Sequence, residues 1–166
     1  MNNLRIRPAE HRDLPRITEI YNHYVLKTPV TFDVDPYTVD QRELWFSQFC
    51  ATGRHRLLVA EQSHTVLGYA GTTRFRPKSA YDTTVETTIY CAPDAIGKGL
   101  GTQLYSELFE QLKVEDIHRF VAVYALPNSA SETLHRRFGF KVVGVFTEMG
   151  RKFGKYWDVC WAERAG

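Results

Sequence analysis

The sequence predicts an α/β domain (α+β in its chain order), one mixed β-sheet with helices packed on its faces. Three observations carry this. Segments with apolar residues three or four apart alternate with β-branched or aromatic runs, in the order βααβββαβαββ. The 166 residues fit a single domain, 1–166, and no linker, repeat or low-complexity stretch divides them. Apolar residues make up 43% and charged residues 24%, enough core for a chain of this size to fold without a disulfide or metal staple.

Each element has its own reason. Residues 3–7 read as a short strand, stopped by Pro8. Residues 12–25 put Leu14, Ile17, Ile20, Tyr21 and Tyr24 on one helical face. Residues 28–36, with Pro29 and Pro36 near their ends, form a loop. Thr38 or Asp40 caps a second helix, which carries Leu44, Trp45 and Phe49 and ends near Gly53. Residues 56–61 and 66–75 pair as a hairpin with Ser63 and His64 at its turn. The β-branched run 83–91 is a strand. Leu104, Leu108 and Leu112, four apart, mark a helix over 101–114. Residues 120–125 form a buried strand, 129–138 a short helix closed by Gly139, and 141–145 and 156–161 the last two strands.

Charge and cysteine usage exclude several classes. Lys plus Arg total 21 against 19 for Asp plus Glu, a balance unsuited to gripping a nucleic-acid backbone. The longest apolar run, 120–126, is seven residues, whereas a membrane helix needs about 20. No apolar leader core follows Met1, so the expected compartment is the cytoplasm. Cys50, Cys91 and Cys160 are odd in number and far apart, and the histidines lack ligand spacing, so neither a disulfide framework nor a metal site is expected.

The strongest local motif is Gly97-Lys98-Gly99-Leu100-Gly101-Thr102, between a strand and a helix. Alternating glycines let backbone amides approach a bulky anion, and the following helix adds free N–H groups and its positive dipole end. Lys98 adds a charge. The nicotinamide pattern fails at Thr102, and the P-loop pattern fails because Lys98 is followed by Gly99. On composition alone the segment is either a phosphate cradle or a plain connecting turn.

Further residues decide which family this resembles. Ile96-Gly97-Lys98-Gly99-Leu100-Gly101 resembles the acetyl-coenzyme A loop of the GNAT acetyltransferases. Asn128-Ser129-Ala130-Ser131 with Leu134-His135-Arg136-Arg137-Phe138-Gly139-Phe140 resembles their second signature. Ser79 to Tyr90, Ile20-Tyr21-Asn22, Val30-Thr31-Phe32 and Lys152 to Val159 are similar to segments of the phosphinothricin-type N-acetyltransferases. One departure is Ile96, where the family usually has Gln or Arg. The resemblance implies a mostly antiparallel GNAT sheet splayed near its centre, acetyl-coenzyme A as cosubstrate, a small-molecule amine as acceptor, and a homodimer.

It also implies roles. Glu86, a carboxylate out of pattern in a Thr- and Val-rich strand, is the expected general base; a solvent-facing strand Glu is the other reading. His135 is the expected proton donor to the leaving thiolate, or else a helix-surface histidine, with Tyr90 and Tyr105 in reserve. Ile89, Tyr90 and Cys91 should pair with the pantetheine arm, and Gly97, Lys98, Gly99, Leu100, Gly101 and Thr102 should hold the pyrophosphate. Asn128 binds that arm or caps its helix. Phe32, Arg76, Lys78, Tyr81, Glu86, Thr87 and Thr88 are the expected substrate contacts, with Arg76 and Lys78 suited to a small acidic amino acid or analogue. Arg74, in the same basic cluster, reads rather as a solvated hairpin end. Acetylation of another amine, such as methionine sulfone or sulfoximine, an arsenic amino-acid analogue or a protein N-terminus, is an alternative. So is a non-catalytic acyl-coenzyme A module.

Overall fold

The computed structural model describes residues 4–166. Asn3, the expected start of the first strand, lies outside the described residues. Seven strands make one sheet: β1 (Arg5–Pro8), β2 (Leu57–Gln62), β3 (Thr65–Arg74), β4 (Thr84–Cys91), β5 (Arg119–Ala125), β6 (Lys141–Lys152) and β7 (Lys155–Ala165), in the order β1-β2-β3-β4-β5-β7-β6. Every neighbouring pair is antiparallel except β4 and β5.

Helices α1 (Leu14–Lys27) and α2 (Val39–Phe46) cover one face, where Tyr21 meets Tyr90 at 5.1 Å and Trp45 meets Tyr69 at 6.1 Å between ring centres. Helices α3 (Leu100–Leu112) and α4 (Ser129–Arg137) cover the other, where Phe109 meets Phe120 at 5.1 Å and His135 stacks on Tyr124 at 5.3 Å. Alternation along β4 sends Glu86, Thr88 and Tyr90 to the α1/α2 face and Val85, Thr87, Ile89 and Cys91 to the α3/α4 face.

Three sequence expectations change. Pro8 does not stop β1 but is its last residue, opposite Leu58, which an edge strand tolerates. Thr38 caps α2 through the Gln41 amide, as expected, yet the helix stops at Phe46 and Leu44 is 84% exposed. The last two strands are far longer than their apolar cores. Bulges between Val142 and Gly144 and between Phe146 and Gly150 let β6 run on past 145 while staying paired with β7.

The parallel pairing of β4 with β5 lasts three residues, Thr84 with Arg119, Val85 with Phe120 and Glu86 with Val121. Beyond it β4 stays with β3 as far as Cys91, and β5 stays with β7 as far as Ala125. The sheet is therefore forked, and Glu86 stands at the crotch.

The 28–38 connection bridges the prongs on the α1/α2 face. Tyr21 donates to Asp33 and pairs with Thr31, while Asn22 holds the backbone of Tyr37 at both its N–H and its carbonyl. The far end is tied to the β6–β7 hairpin: the buried Lys152 ammonium donates to the Thr31 carbonyl at 2.8 Å, and the Phe32 ring lies flat on Gly150. A Cβ at Gly150 would overlap that ring. Gly150→Ala is expected to lower unfolding stability by about 1–3 kcal/mol, the range for overpacking. In a Phe32→Ala background the same change should cost under about 0.5 kcal/mol, because the clash is gone. Denaturant unfolding of the four proteins checks this, and an equal cost in both backgrounds would contradict it.

Candidate active site

The fork exposes main chain. Ala92 donates its N–H to Leu67 across β3, so alternation points Tyr90 and Thr88 toward β3 and leaves the backbone of Ile89 and Cys91 facing the cleft. Tyr24 donates its hydroxyl to the Cys91 carbonyl, fixing that end of the strand. The N–H and C=O of Ile89 and the N–H of Cys91 remain available to an extended amide-bearing arm. The Tyr90 side chain belongs to the opposite face, packed among Tyr21, Tyr24 and Tyr69.

At the mouth of the cleft the glycine loop enters α3. Gly97 and Gly99 have φ of +80° and +75°, conformations that a Cβ would strain. The first helical bond runs from Gln103 N–H to Gly99 O, which leaves the amides of Leu100, Gly101 and Thr102 without an intrahelical acceptor. The bare Cα of Gly101 faces Leu134 of α4 and Ile89 of β4, which seats the helix end over the open strand. Lys98 is exposed beside the loop, and so is Ile96, which contributes no polar contact. This loop, the Ile89 and Cys91 backbone and the cleft suit a diphosphate with a pantetheine tail.

On the α3/α4 face, His135 is buried, 5% exposed, and both its ring nitrogens are engaged. Nδ1 faces the Ser131 carbonyl at 2.8 Å and must donate to it. Burial lowers the imidazole pKa, more than the Ser131 bond raises it, so the ring is neutral and Nε2 accepts from the Tyr105 hydroxyl at 3.0 Å. The donor role expected of His135 is corrected on this ground: a neutral ring in this tautomer has no free N–H to give. It orients Tyr105, whose fully buried hydroxyl is raised in pKa by desolvation. Asn128 caps α4, accepting from Ser131 N–H at 3.1 Å, and only its amide NH2 is left for a ligand. Thr87 is likewise corrected. Its hydroxyl donates to Val121 O on the α3/α4 face, turned away from Glu86. Burial pushes the Cys91 thiol up to about 11, so it is no thiolate at neutral pH.

The other expected site residues lie on the α1/α2 face. Glu86 is half-buried and makes no hydrogen bond or ion pair among the described residues. Burial raises its pKa, and the nearby positive charge of Arg76 pulls it partly back. Arg76 lies over Phe75 at 4.5 Å and faces Trp161 at 5.6 Å. Tyr81 packs edge-on against Phe75, continuing this wall, and Thr88 shares the face of Glu86. Phe32 closes the far side through its seat on Gly150. Arg74 is neutralised by Asp82 at 2.9 Å, and Lys78 is exposed at the start of a 3-10 turn. Sequence reading missed Trp161, which it placed only as the last residue of a strand. It also missed Lys152, hidden in a charged hairpin tip. Among the described residues no cluster of His, Cys, Asp and Glu is arranged to hold a metal, and no helix is long and apolar enough to cross a membrane.

Residues 6–161 match the family model described as an acetyltransferase (GNAT) domain. The chain belongs to the GNAT acetyltransferases. It is 50% identical over 163 residues to a phosphinothricin N-acetyltransferase of Streptomyces coelicolor, covering 97% of this chain and 95% of that one. It is 37% identical over 154 residues to an L-methionine sulfoximine/L-methionine sulfone acetyltransferase of Pseudomonas paraeruginosa, covering 93% and 90%. A GNAT phosphinothricin acetyltransferase from Sinorhizobium meliloti, solved with acetyl-coenzyme A, superposes with a TM-score of 0.92 at 33% identity, covering 98% of this chain and 88% of that one. This GNAT chain is accordingly an acetyl-coenzyme A-dependent N-acetyltransferase, with a forked, mostly antiparallel sheet.

Proposed function

We propose that this GNAT enzyme acetylates the primary amine of a small amino acid carrying an oxygen-rich acidic or strongly polar side chain, with phosphinothricin as the reference substrate. The observation that carries the reading is the pairing of a free, half-buried carboxylate, Glu86, with the Arg76 guanidinium on one face of the fork. Relatives that act on phosphinothricin or methionine sulfone support it.

In this reading Glu86 accepts a proton from the substrate ammonium, directly or through a water held near Thr88. The freed amine attacks the thioester carbonyl to give a tetrahedral adduct. As it collapses the C–S bond breaks, coenzyme A leaves as its thiolate, and the remaining extra proton on nitrogen passes to that sulfur through water, leaving the amide and free coenzyme A. Glu86 suits the task because burial lifts its proton affinity toward that of a useful base, and nothing else holds its oxygens. The loop 97–102 and the Ile89 and Cys91 main chain hold the coenzyme, with the spare Asn128 amide along its arm. Cleft amides polarise the carbonyl. Arg76, with Lys78 at the rim, receives the acidic end of the substrate, and Phe32 and Tyr81 close its sides. A polyamine has no acidic group for Arg76 to bind.

We further propose a homodimer in the cytoplasm, built on β6. That edge strand presents Val142, Val143, Val145, Phe146 and Met149 to solvent, with Phe153 in the turn that follows, an apolar strip unsuited to a lone monomer.

Three measurements test these statements. Glu86→Gln should lower kcat by about 10²–10⁴ with the KM for acetyl-coenzyme A unchanged; an unaltered kcat removes Glu86 from the mechanism. The base works deprotonated, so wild-type kcat/KM should rise with pH through a limb above the usual carboxylate range. Arg76→Ala should move that limb still higher, because the charge opposing the burial shift is lost, and should raise KM for phosphinothricin more than for a neutral amino acid. A limb that stays put, or an equal KM change, would contradict the assignment. Analytical ultracentrifugation should show a dimer that Phe146→Asp with Val143→Glu converts to a folded monomer; a wild-type monomer would overturn the dimer.

A further inference from the structure

Trp161 carries an unresolved chemical demand. Its indole Nε1 is buried and has no hydrogen-bond partner. Buried indole N–H groups ordinarily find an acceptor, because leaving one unpaired forfeits its hydration for nothing. The ring itself is well packed, against Phe75 at 6.3 Å and Phe146 at 5.8 Å.

Its place in the sheet says what the acceptor is. Glu86 pairs with Val121 and Val121 with Glu163, so Trp161, two residues before Glu163, lies on the Glu86 face of the next strand but one. Arg76 stands over this indole at 5.6 Å. That arginine is exposed, makes no salt bridge among the described residues, and is held only by a 3.3 Å bond to the carbonyl of its neighbour Phe75. The cover over the indole is thus a side chain free to swing onto an arriving anion. One unpaired donor and one unpaired cation converge on the same part of the cleft, beside the base.

We propose that Trp161 is a specificity-determining residue, its Nε1–H donating to an oxygen on the substrate's side-chain terminus while Arg76 neutralises or polarises that group. The inference rests on the substrate reading above and deepens it. A phosphinate, sulfone or sulfoximine offers oxygens at that end of the molecule; a thioether or an alkyl chain offers none. Tryptophan thereby reads the oxidation state of the side chain beside Arg76, as a second, fixed donor that only an oxygen-bearing terminus can use.

The test is Trp161→Phe, which keeps a ring under Arg76 and removes the N–H. The KM for phosphinothricin and for methionine sulfone should rise about tenfold, the usual effect of losing one such hydrogen bond. The inhibition constant of methionine, which has the same skeleton without the oxygens, should stay within about twofold, as should the KM for acetyl-coenzyme A and the melting temperature. Equal losses for methionine and its sulfone, or no loss for either, would overturn the proposal. A second readout is independent of turnover. The protein has 3 tryptophans, and the indole N–H resonance absent from the Trp161→Phe spectrum identifies Trp161. In coenzyme-A-saturated wild-type enzyme that resonance should shift with methionine sulfone and not with methionine. A shift without turnover would sink the substrate reading and leave the donor role standing. Turnover without a shift would sink the donor role alone.

Discussion

The unmade hydrogen bonds between β4 and β5 are the constraint around which this molecule is organised. Main-chain N–H and C=O groups inside a protein are almost always paired, and each one left without a partner costs about 1–3 kcal/mol. A sheet that stops pairing after Glu86 and Val121 is sustainable because water, or a ligand's own amides, can occupy the gap. The glycine loop, the bare N-terminus of α3 and the Gly101 contact with Ile89 all serve that same opening. Affinity for the coenzyme is in this sense a by-product of an incomplete sheet.

The fork also separates the chemistry by face. Alternation along one strand sends Glu86 and Thr88 to the side of α1 and α2, and Thr87, Ile89 and Cys91 to the side of α3 and α4. The Tyr105–His135 pair belongs to the second side, the Arg76–Trp161 wall to the first. In the proposed mechanism, acceptor and donor substrates meet edge to edge through a slot in the sheet. Neither has to displace the other, which fits direct transfer without a covalent enzyme intermediate. The neutral thiol of Cys91 agrees with that route.

Much of this was legible before any coordinates. Helical spacing located α1 and α3 within a residue or two of their observed bounds, and the glycine run located the loop. Glu86 stood out because a carboxylate in a β-branched strand breaks pattern. What sequence could not supply was direction. The neighbours Glu86 and Thr87 look interchangeable as substrate contacts until the pleat turns one hydroxyl onto Val121 O. For His135 the sequence left two readings, a proton donor or a surface histidine beside Arg136 and Arg137, and the structure excludes the surface one by placing the ring inside, stacked on Tyr124. The ends of β6 and β7 were misread for a different reason. Glycines and charges mark turns locally, but bulges let an edge strand carry them, and only pairing with β7 reveals this.

The Lys152 ammonium, almost wholly enclosed, holds the Thr31 carbonyl from 121 positions away along the chain. Two segments remote in sequence thus share a single keystone. The loop that roofs the acceptor cleft and the hairpin that buttresses it must evolve as a matched set, so grafting the loop alone from a cousin with another hairpin would strand a cation in the interior and unseat the roof it was meant to install.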